Sequence, residues 1–197
     1  MKFLITAFNE FGQLDHNSSK EILKKTRFPE NVHKAFIDVS LDKSFEELKK
    51  EIEEFNPDII ILTGQAGNYP KIHLEKRAQN LLDFKIPDID NKLIINKKID
   101  EDGEDLYTKI DTTSLDIYLN GAGINTQESD DAGTYICNYL YYEALKHFPD
   151  KLILFVHFPL YIGQTNLRYQ FMQIDEMVRG LELIVSYLSY SRSQYEH

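Results

Sequence analysis

Two kinds of apolar pattern alternate along the chain. Short, mainly apolar runs, as expected for strands buried on both faces of a sheet, occupy residues 2–8, 35–39, 58–62 and 152–156. Apolar residues that recur at three- and four-residue steps, as expected for amphipathic helices, occupy residues 18–26, 44–55, 113–119, 134–147 and 173–190. Because strands and helices alternate, the pattern predicts an α/β fold: a three-layer αβα arrangement around a twisted, mixed and mostly parallel central sheet.

Polar residues and one glycine mark helix ends. Ser18 or Ser19 is positioned to cap the first helix. Ser44, with Glu47 three residues later, has the spacing of a capping box at the start of the second helix. Gly121 is expected to stop the helix predicted over 113–119, because glycine tolerates the backbone turn that ends a helix.

The middle of the chain is less regular. Residues 63–70 (TGQAGNYP) form a loop rich in small residues after the central strand, where ligands bind in open α/β sheets. Residues 71–80 alternate, which predicts a strand that places Glu75 on the side opposite Ile72 and Leu74. Shorter strands are predicted at 93–96, 106–109 and 124–128.

Composition narrows the class of protein. A chain of 197 residues with 42% hydrophobic and 27% charged residues suits one domain over residues 1–197. A formal charge of −10 without a dense basic cluster argues against nucleic-acid binding. No apolar run approaches the eighteen residues or so of a membrane span. The single cysteine excludes an internal disulfide and favours a reducing compartment, so we expect a soluble cytoplasmic protein.

That cysteine, Cys137, stands at a position that favours a reactive thiol. Ala132 and Gly133 allow a tight turn, and a predicted helix follows directly. The unpaired N–H groups and the positive dipole end of a first helical turn stabilise a thiolate. The alternative is a small buried apolar residue, which is the common role of a free cysteine.

Two further residues have the chemistry that a thiol nucleophile requires. His157 ends the apolar run 152–156, and Glu75 lies in the alternating stretch after the small-residue loop. A nucleophile needs a base, and the base needs a group that fixes its tautomer and orientation. The alternatives are a histidine satisfied in the core and a solvated glutamate.

Three motifs surround these residues: AGTYICN (132–138), LEKRAQN (74–80) and FVHFP (155–159). In this order they resemble the nucleophile segment, the E-R-x-A-x-N segment and the histidine motif of the pyroglutamyl peptidase I family of cysteine peptidases. The resemblance runs nearly end to end and in the same chain order. It implies a catalytic triad of Cys137, His157 and Glu75.

Weaker matches imply a substrate pocket. AFNEFG (7–12) resembles the family's G-F-D-P-F-G, GQAG (64–67) its glycine-rich loop, and FKIPD (84–88) a segment near the oxyanion site. Pyroglutamate is a neutral lactam, so apolar walls with a few amide groups suit it. The substrate-binding residues implied in this way are Phe8, Phe11, Asn17, Gln65, Lys85, Tyr135 and Ile136.

The chain also departs from the family pattern. Ala7 replaces a glycine, Asn9-Glu10 replaces Asp-Pro, and Lys76 and Lys85 replace arginines. Lysine keeps the charge but loses the planar fork of donors. The segment after His157, residues 160–173, is shorter than the resemblance leads us to expect.

The resemblance implies a cysteine exopeptidase that removes N-terminal pyroglutamyl residues from peptides, without a cofactor or metal. It also implies a homodimer or homotetramer. Two alternatives remain open at this stage. One is a divergent homologue that binds pyroglutamyl or other lactam ends with weak or altered hydrolase activity. The other is an interaction protein that uses its acidic surface.

Overall fold

A computed structural model describes residues 1–12, 16–67, 69–165 and 171–193. The elements in chain order are β1 (Phe3–Phe8), α1 (Ser18–Lys25), β2 (Val32–Ile37), α2 (Ser44–Phe55), β3 (Ile59–Gln65), β4 (Ile72–Glu75), β5 (Arg77–Ala78), β6 (Leu106–Tyr107), α3 (Thr112–Gly121), β7 (Thr126–Ser129), α4 (Ile136–His147), β8 (Leu152–Phe158), β9 (Leu160–Tyr161), β10 (Phe171–Met172) and α5 (Ile174–Ser193). None of these helices is long and apolar enough to cross a membrane.

Six strands form the central sheet, in the order β2-β1-β3-β8-β4-β7. The first four run parallel to one another, β4 is antiparallel to β8, and β7 is parallel to β4. Helices α1, α3 and α5 pack on one face, while α2 and α4 pack on the other. The predicted α/β class, with its mixed and mostly parallel sheet between helical layers, is therefore confirmed.

Strands β1 and β3 are interior strands of the sheet. All six residues of β1 and the first six of β3 are buried, as the apolar runs predicted. Pairing of β3 with β8 continues as far as Gln65 opposite Phe158. For this reason residues 63–65 belong to β3, and the prediction that the loop begins at residue 63 was wrong. Strand β8 continues one residue beyond His157, where its end was predicted.

The predicted helix caps were also wrong in detail. Asn17, rather than Ser18 or Ser19, caps α1, because its side-chain oxygen accepts the Ser19 N–H at 3.0 Å. Ser44 is the first residue inside α2 and makes no capping box. Glu47 instead accepts the backbone N–H of Asp38 at 2.9 Å, which ties α2 to the end of β2.

Other boundaries moved by a few residues. The second strand lies at Val32–Ile37 instead of 35–39, and α3 continues through Gly121, which was expected to stop it. The left-handed turn falls at Gly123, with φ of 81°. Residues 93–96 form no strand in the described structure. Residue 68 of the predicted loop, and residues 166–170 of the shortened segment, lie outside the described residues.

Candidate active site

Strand β4 runs antiparallel to its neighbour β8, and this pairing brings a histidine and a glutamate together. His73 is the cross-strand partner of His157, and Glu75 is the partner of Phe155. Residues two apart in a strand point to the same face, so His157 and Glu75 are diagonal neighbours. The Nδ1 atom of His157 lies 2.8 Å from Oε1 of Glu75. Since Glu75 is fully buried, this contact places a carboxylate against the imidazole away from solvent.

The helix above this pair is fastened to the same segment. Tyr141 of α4 donates its hydroxyl to the backbone oxygen of Glu75 at 2.8 Å. The side-chain oxygen of Asn138 accepts the Gln79 N–H at 2.7 Å, and its amide donates to the backbone oxygens of Gln79 and Leu81. These bonds fix the first turns of α4 relative to the buried carboxylate.

Cys137 is the second residue of α4. Gly133, with φ of 77°, provides the turn before the helix, since a left-handed backbone favours glycine. Tyr135 at the N-cap makes no side-chain capping bond. The first helical bond runs from the Tyr139 N–H to Tyr135 oxygen. The N–H groups of residues 136–138 therefore lack partners within the helix, which is the general property of a first turn that attracts negative charge.

Gly64 permits the close approach of the thiol to the sheet. It is the cross-strand partner of His157. A Cβ atom at residue 64 would lie 3.0 Å from the Cys137 Sγ and 3.0 Å from the Phe155 ring. The sulfur thus packs against the bare backbone of β3, immediately beside the strand that carries His157.

Charge interactions favour a protonated His157. Burial by itself would lower the pKa of this imidazole. Hydrogen bonding and charge interactions with Cys137 and Glu75 outweigh burial and raise the pKa to about 10. Because Nδ1 is used by Glu75, Nε2 is the ring nitrogen left for the thiol. His157 therefore lies between the Glu75 side chain and the Cys137 sulfur, and both neighbours favour its protonated form.

A pocket of about 300 Å³ opens beside the sulfur. Its walls are mainly apolar and aromatic. The Phe11 and Tyr135 rings are 5.6 Å apart between centroids, and Phe84 supports Tyr135 edge-on at 4.7 Å. The lining residues are Phe8, Phe11, Gly12, His16, Asn17, Val39, Gln65, Ile86, Tyr135 and Cys137.

Hydrogen bonds fix the orientation of the Gln65 amide at the pocket. Its Oε1 accepts the backbone N–H of Ser18 at 2.7 Å and Nε2 of Gln164 at 2.6 Å. Gln164 also donates to the backbone oxygen of His16 and accepts the N–H of Tyr161. Since the Gln65 oxygen is occupied in this way, its NH₂ group is the part left to donate to a ligand.

Most of the site residues implied by the sequence meet in this region. Phe8, Phe11, Asn17, Gln65 and Tyr135 line the pocket together with Cys137, and the pair of His157 and Glu75 lies beside the sulfur.

Two implied residues do not line the pocket. Ile136 is fully buried in the core beneath α4, because one helical step turns it away from the direction of Cys137. The Lys85 side chain is 81% exposed, and its Nζ lies 2.5 Å from the Asp83 carboxylate. The structure therefore does not bring either side chain to the ligand space.

Sequence reasoning missed several residues that shape the site. Gly64 and Asn138 were not singled out, since their importance depends on contacts between distant segments. Gln164 contacts the pocket across 99 residues of chain, which no local pattern reveals. His73 was recognisable, because the alternation in residues 71–80 places it on the same face as Glu75.

Similarity to known proteins covers nearly the whole of this architecture. The pyroglutamyl peptidase family model matches residues 1–189. The chain belongs to the pyroglutamyl peptidase family. This membership confirms the resemblance inferred from the three motifs.

Individual relatives agree with the family assignment. Pyrrolidone-carboxylate peptidase from Lactobacillus helveticus is 35% identical, over 94% of this chain and 97% of the relative. The protein of the same name from Streptococcus pyogenes is 32% identical, over 94% and 91%. Among solved structures, the pyrrolidone carboxyl peptidase of Fervidobacterium islandicum has a TM-score of 0.90 at 31% identity, over 96% of this chain and 99% of that one. The Thermococcus litoralis peptidase has a TM-score of 0.89 at 28% identity, over 98% and 96%.

Cys137, His157 and Glu75 have side chains suited to nucleophilic catalysis. Across the described ranges, no group of three or more histidine, cysteine, aspartate or glutamate side chains is arranged to hold a metal ion. The chemistry that these residues can perform is nucleophilic attack by a thiolate, with proton transfer by a buried imidazole.

Proposed function

We propose that this member of the pyroglutamyl peptidase family removes the N-terminal pyroglutamyl residue from peptides. Cys137 is the nucleophile, His157 the acid and base, and Glu75 the group that orients His157. The observation that carries the assignment is the 2.8 Å contact between His157 and the buried Glu75, next to a sulfur that lies at an apolar pocket. The three residues lie on separate elements, so their meeting is a property of the fold.

Acylation begins with the Cys137 thiolate attacking the carbonyl that joins pyroglutamate to the next residue. The negative charge that develops on the carbonyl oxygen lies near the start of α4. The N–H groups of residues 136–138, which lack partners within the helix, are suited to donate hydrogen bonds to this oxyanion. Lys85 has no part in this step, because its side chain is exposed and paired with Asp83.

His157 then acts as an acid. Its raised pKa ensures that it holds a proton at neutral pH, and it gives this proton to the leaving amine as the C–N bond breaks. The result is a thioester on Cys137 and a neutral imidazole. A water molecule that loses its proton to His157 hydrolyses the thioester, which releases pyroglutamate and restores the starting pair.

The described part of the pocket suits a lactam better than an ordinary N-terminal residue. No aspartate or glutamate is among the described lining residues, so none of those residues would compensate the charge of an α-ammonium group. Phe8, Phe11 and Tyr135 provide flat apolar surface. The NH₂ group of Gln65 is available to donate to the lactam carbonyl. Asn17, whose side-chain oxygen caps α1, also lines the pocket.

The departures from the family motif are accommodated by local bonds. Asn9 donates to the Asp38 carboxylate at 2.7 Å, and Glu10 pairs with Lys20 at 2.5 Å. Because the turn carrying Phe11 is held in this way and the triad residues converge, turnover is favoured over binding alone.

We also propose a cytoplasmic location, supported by the single free cysteine, and a homodimer or homotetramer, supported by family resemblance.

The test compares hydrolysis of pyroglutamyl and alanyl 7-amido-4-methylcoumarin by the purified protein. We expect release of the fluorophore from the pyroglutamyl amide alone, and none by a Cys137→Ser variant. Calorimetry with pyroglutamate serves as the second measurement. Binding without hydrolysis would instead identify a lactam-binding homologue, and neither binding nor hydrolysis would overturn the proposed function.

A further inference from the structure

A second buried histidine lies next to the catalytic carboxylate. The side chain of His73 is 9% exposed and lies on the same sheet face as Glu75 and His157. Its Nδ1 is 4.0 Å from Oε1 of Glu75, the same oxygen that His157 contacts at 2.8 Å. The other oxygen, Oε2, is buried and has no hydrogen-bond partner among the described residues. One carboxylate therefore faces two imidazoles and has one oxygen unused.

We propose that His73 is a positioning residue that acts through Glu75 and controls how turnover declines in acid. This inference rests on the proposed function, since it concerns the same triad. When His73 is neutral, Glu75 is left to stabilise the imidazolium of His157. When His73 gains a proton, it becomes a second cation that competes for the same carboxylate.

The charge balance gives the direction of the effect. A protonated His73 attracts Glu75, and a movement of about 1 Å would bring it within ordinary hydrogen-bond distance. It also repels the His157 imidazolium across the β4–β8 pair. Both effects weaken the thiolate–imidazolium pair of Cys137 and His157, so the fraction of active enzyme falls.

The surroundings of His73 keep it neutral near neutral pH. Burial lowers its pKa, Glu75 raises it, and His157 and Lys71 lower it, with a net shift below the ordinary value. The Tyr69 ring covers the imidazole at 4.5 Å between centroids. On β7 the cross-strand partner is the uncharged Gln127, and α3 packs on the opposite face of the sheet.

The first experiment compares the pH profiles of kcat/KM for wild type and His73→Gln with the pyroglutamyl amide. Glutamine is polar and of similar reach but does not titrate in this range. In the acid limb we expect kcat/KM of the wild type to fall by more than about tenfold per pH unit, because two protonations inactivate the enzyme. The kcat/KM of the variant should fall by about tenfold per pH unit. His147→Gln is the matched control, since His147 is half exposed and pairs with Glu143 at the far end of α4, and its profile should match the wild type.

A second measurement does not depend on the folding of His73→Gln. Proton NMR should show the His73 ring titrating below its ordinary range in the wild type, and still lower in Glu75→Gln, because the carboxylate that raises the pKa of His73 is gone. Identical acid limbs in wild type and folded His73→Gln, or an unchanged His73 titration in Glu75→Gln, would overturn the inference while leaving the proposed function intact. A wild type without hydrolysis at any pH would instead refute the proposed function.

Discussion

Gly64→Ala tests whether the sulfur must approach the sheet as closely as described. The new methyl group would meet the Cys137 Sγ and the Phe155 ring at 3.0 Å each. Non-bonded heavy atoms are comfortable at about 3.5–4.0 Å, so the sulfur or the strand has to move by roughly 0.5–1 Å. A misplacement of about 1 Å can reduce a rate by about a hundredfold. We therefore expect kcat to fall by about 10- to 100-fold.

The pyroglutamyl pocket should be affected less than the chemistry, since Gly64 is not among its lining residues. KM for the pyroglutamyl amide should stay within about threefold of the wild-type value, because the ligand contacts are retained. Overpacking should also lower the free energy of unfolding by about 1–3 kcal/mol. Urea denaturation measures that loss, and rates are corrected for the folded fraction.

Gly67→Ala is the matched control. It adds the same methyl group three residues later, where the nearest atoms belong to Leu160 at 3.5 Å or more. We expect kcat within about twofold of wild type and an unchanged rate of alkylation of Cys137 by iodoacetamide. If Gly64→Ala is as active as Gly67→Ala and its thiol is alkylated at the wild-type rate, the described position of the sulfur is wrong.

Three further predictions concern the other groups. Glu75→Gln should lower kcat by about a hundredfold or more, as measured by steady-state kinetics. It should also lower the pKa of His157 from about 10, because the carboxylate raises that pKa. An NMR titration that finds the pKa of His157 unchanged would contradict the pairing of His157 with Glu75. Phe11→Ala should raise KM for the pyroglutamyl amide with little change in kcat, and Phe28→Ala, whose ring lies outside the pocket, should leave KM unaltered. Because the pKa of His157 is higher in the folded protein than its ordinary 6.5, the associated stability is complete below about pH 6.5 and lost as pH rises towards 10; the difference in unfolding free energy between wild type and His157→Gln should shrink over that range, and a constant difference would argue against the shift.

The strands and layers were predictable because apolar runs of the kind seen in β1, β3 and β8 leave no exposed face. Boundaries were less predictable. Whether β3 ends at residue 62 or at Gln65 is decided by its pairing with β8, which involves residues some ninety positions later. The cap of α1 moved to Asn17 because its side chain reaches the Ser19 N–H, and serines at 18 and 19 have the same local preference.

The site was predictable in part, and for a different reason. Three separate motifs together predicted that Cys137, His157 and Glu75 act as a group, and the structure places the three side chains close together. None of the distances between their segments can be read from a sequence. The residues that line the pocket were harder to predict, because the direction in which each side chain faces decides whether it reaches the ligand space. Lys85 and Ile136 both stand in matching segments, yet one side chain faces solvent and the other faces the core.

The antiparallel placement of β4 against β8 has a consequence for how the protein acquires activity while it folds. His157 and Glu75 lie 82 positions apart in the chain, so their pairing is a non-local event of the kind that slows folding. A slip of one residue between these strands would move Glu75 to the opposite face of the sheet. A chain trapped in that register would be compact and helical but inert. Recovery of hydrolysis during refolding therefore measures how many molecules have paired these two strands correctly. A circular dichroism signal from the helices would not distinguish the two registers.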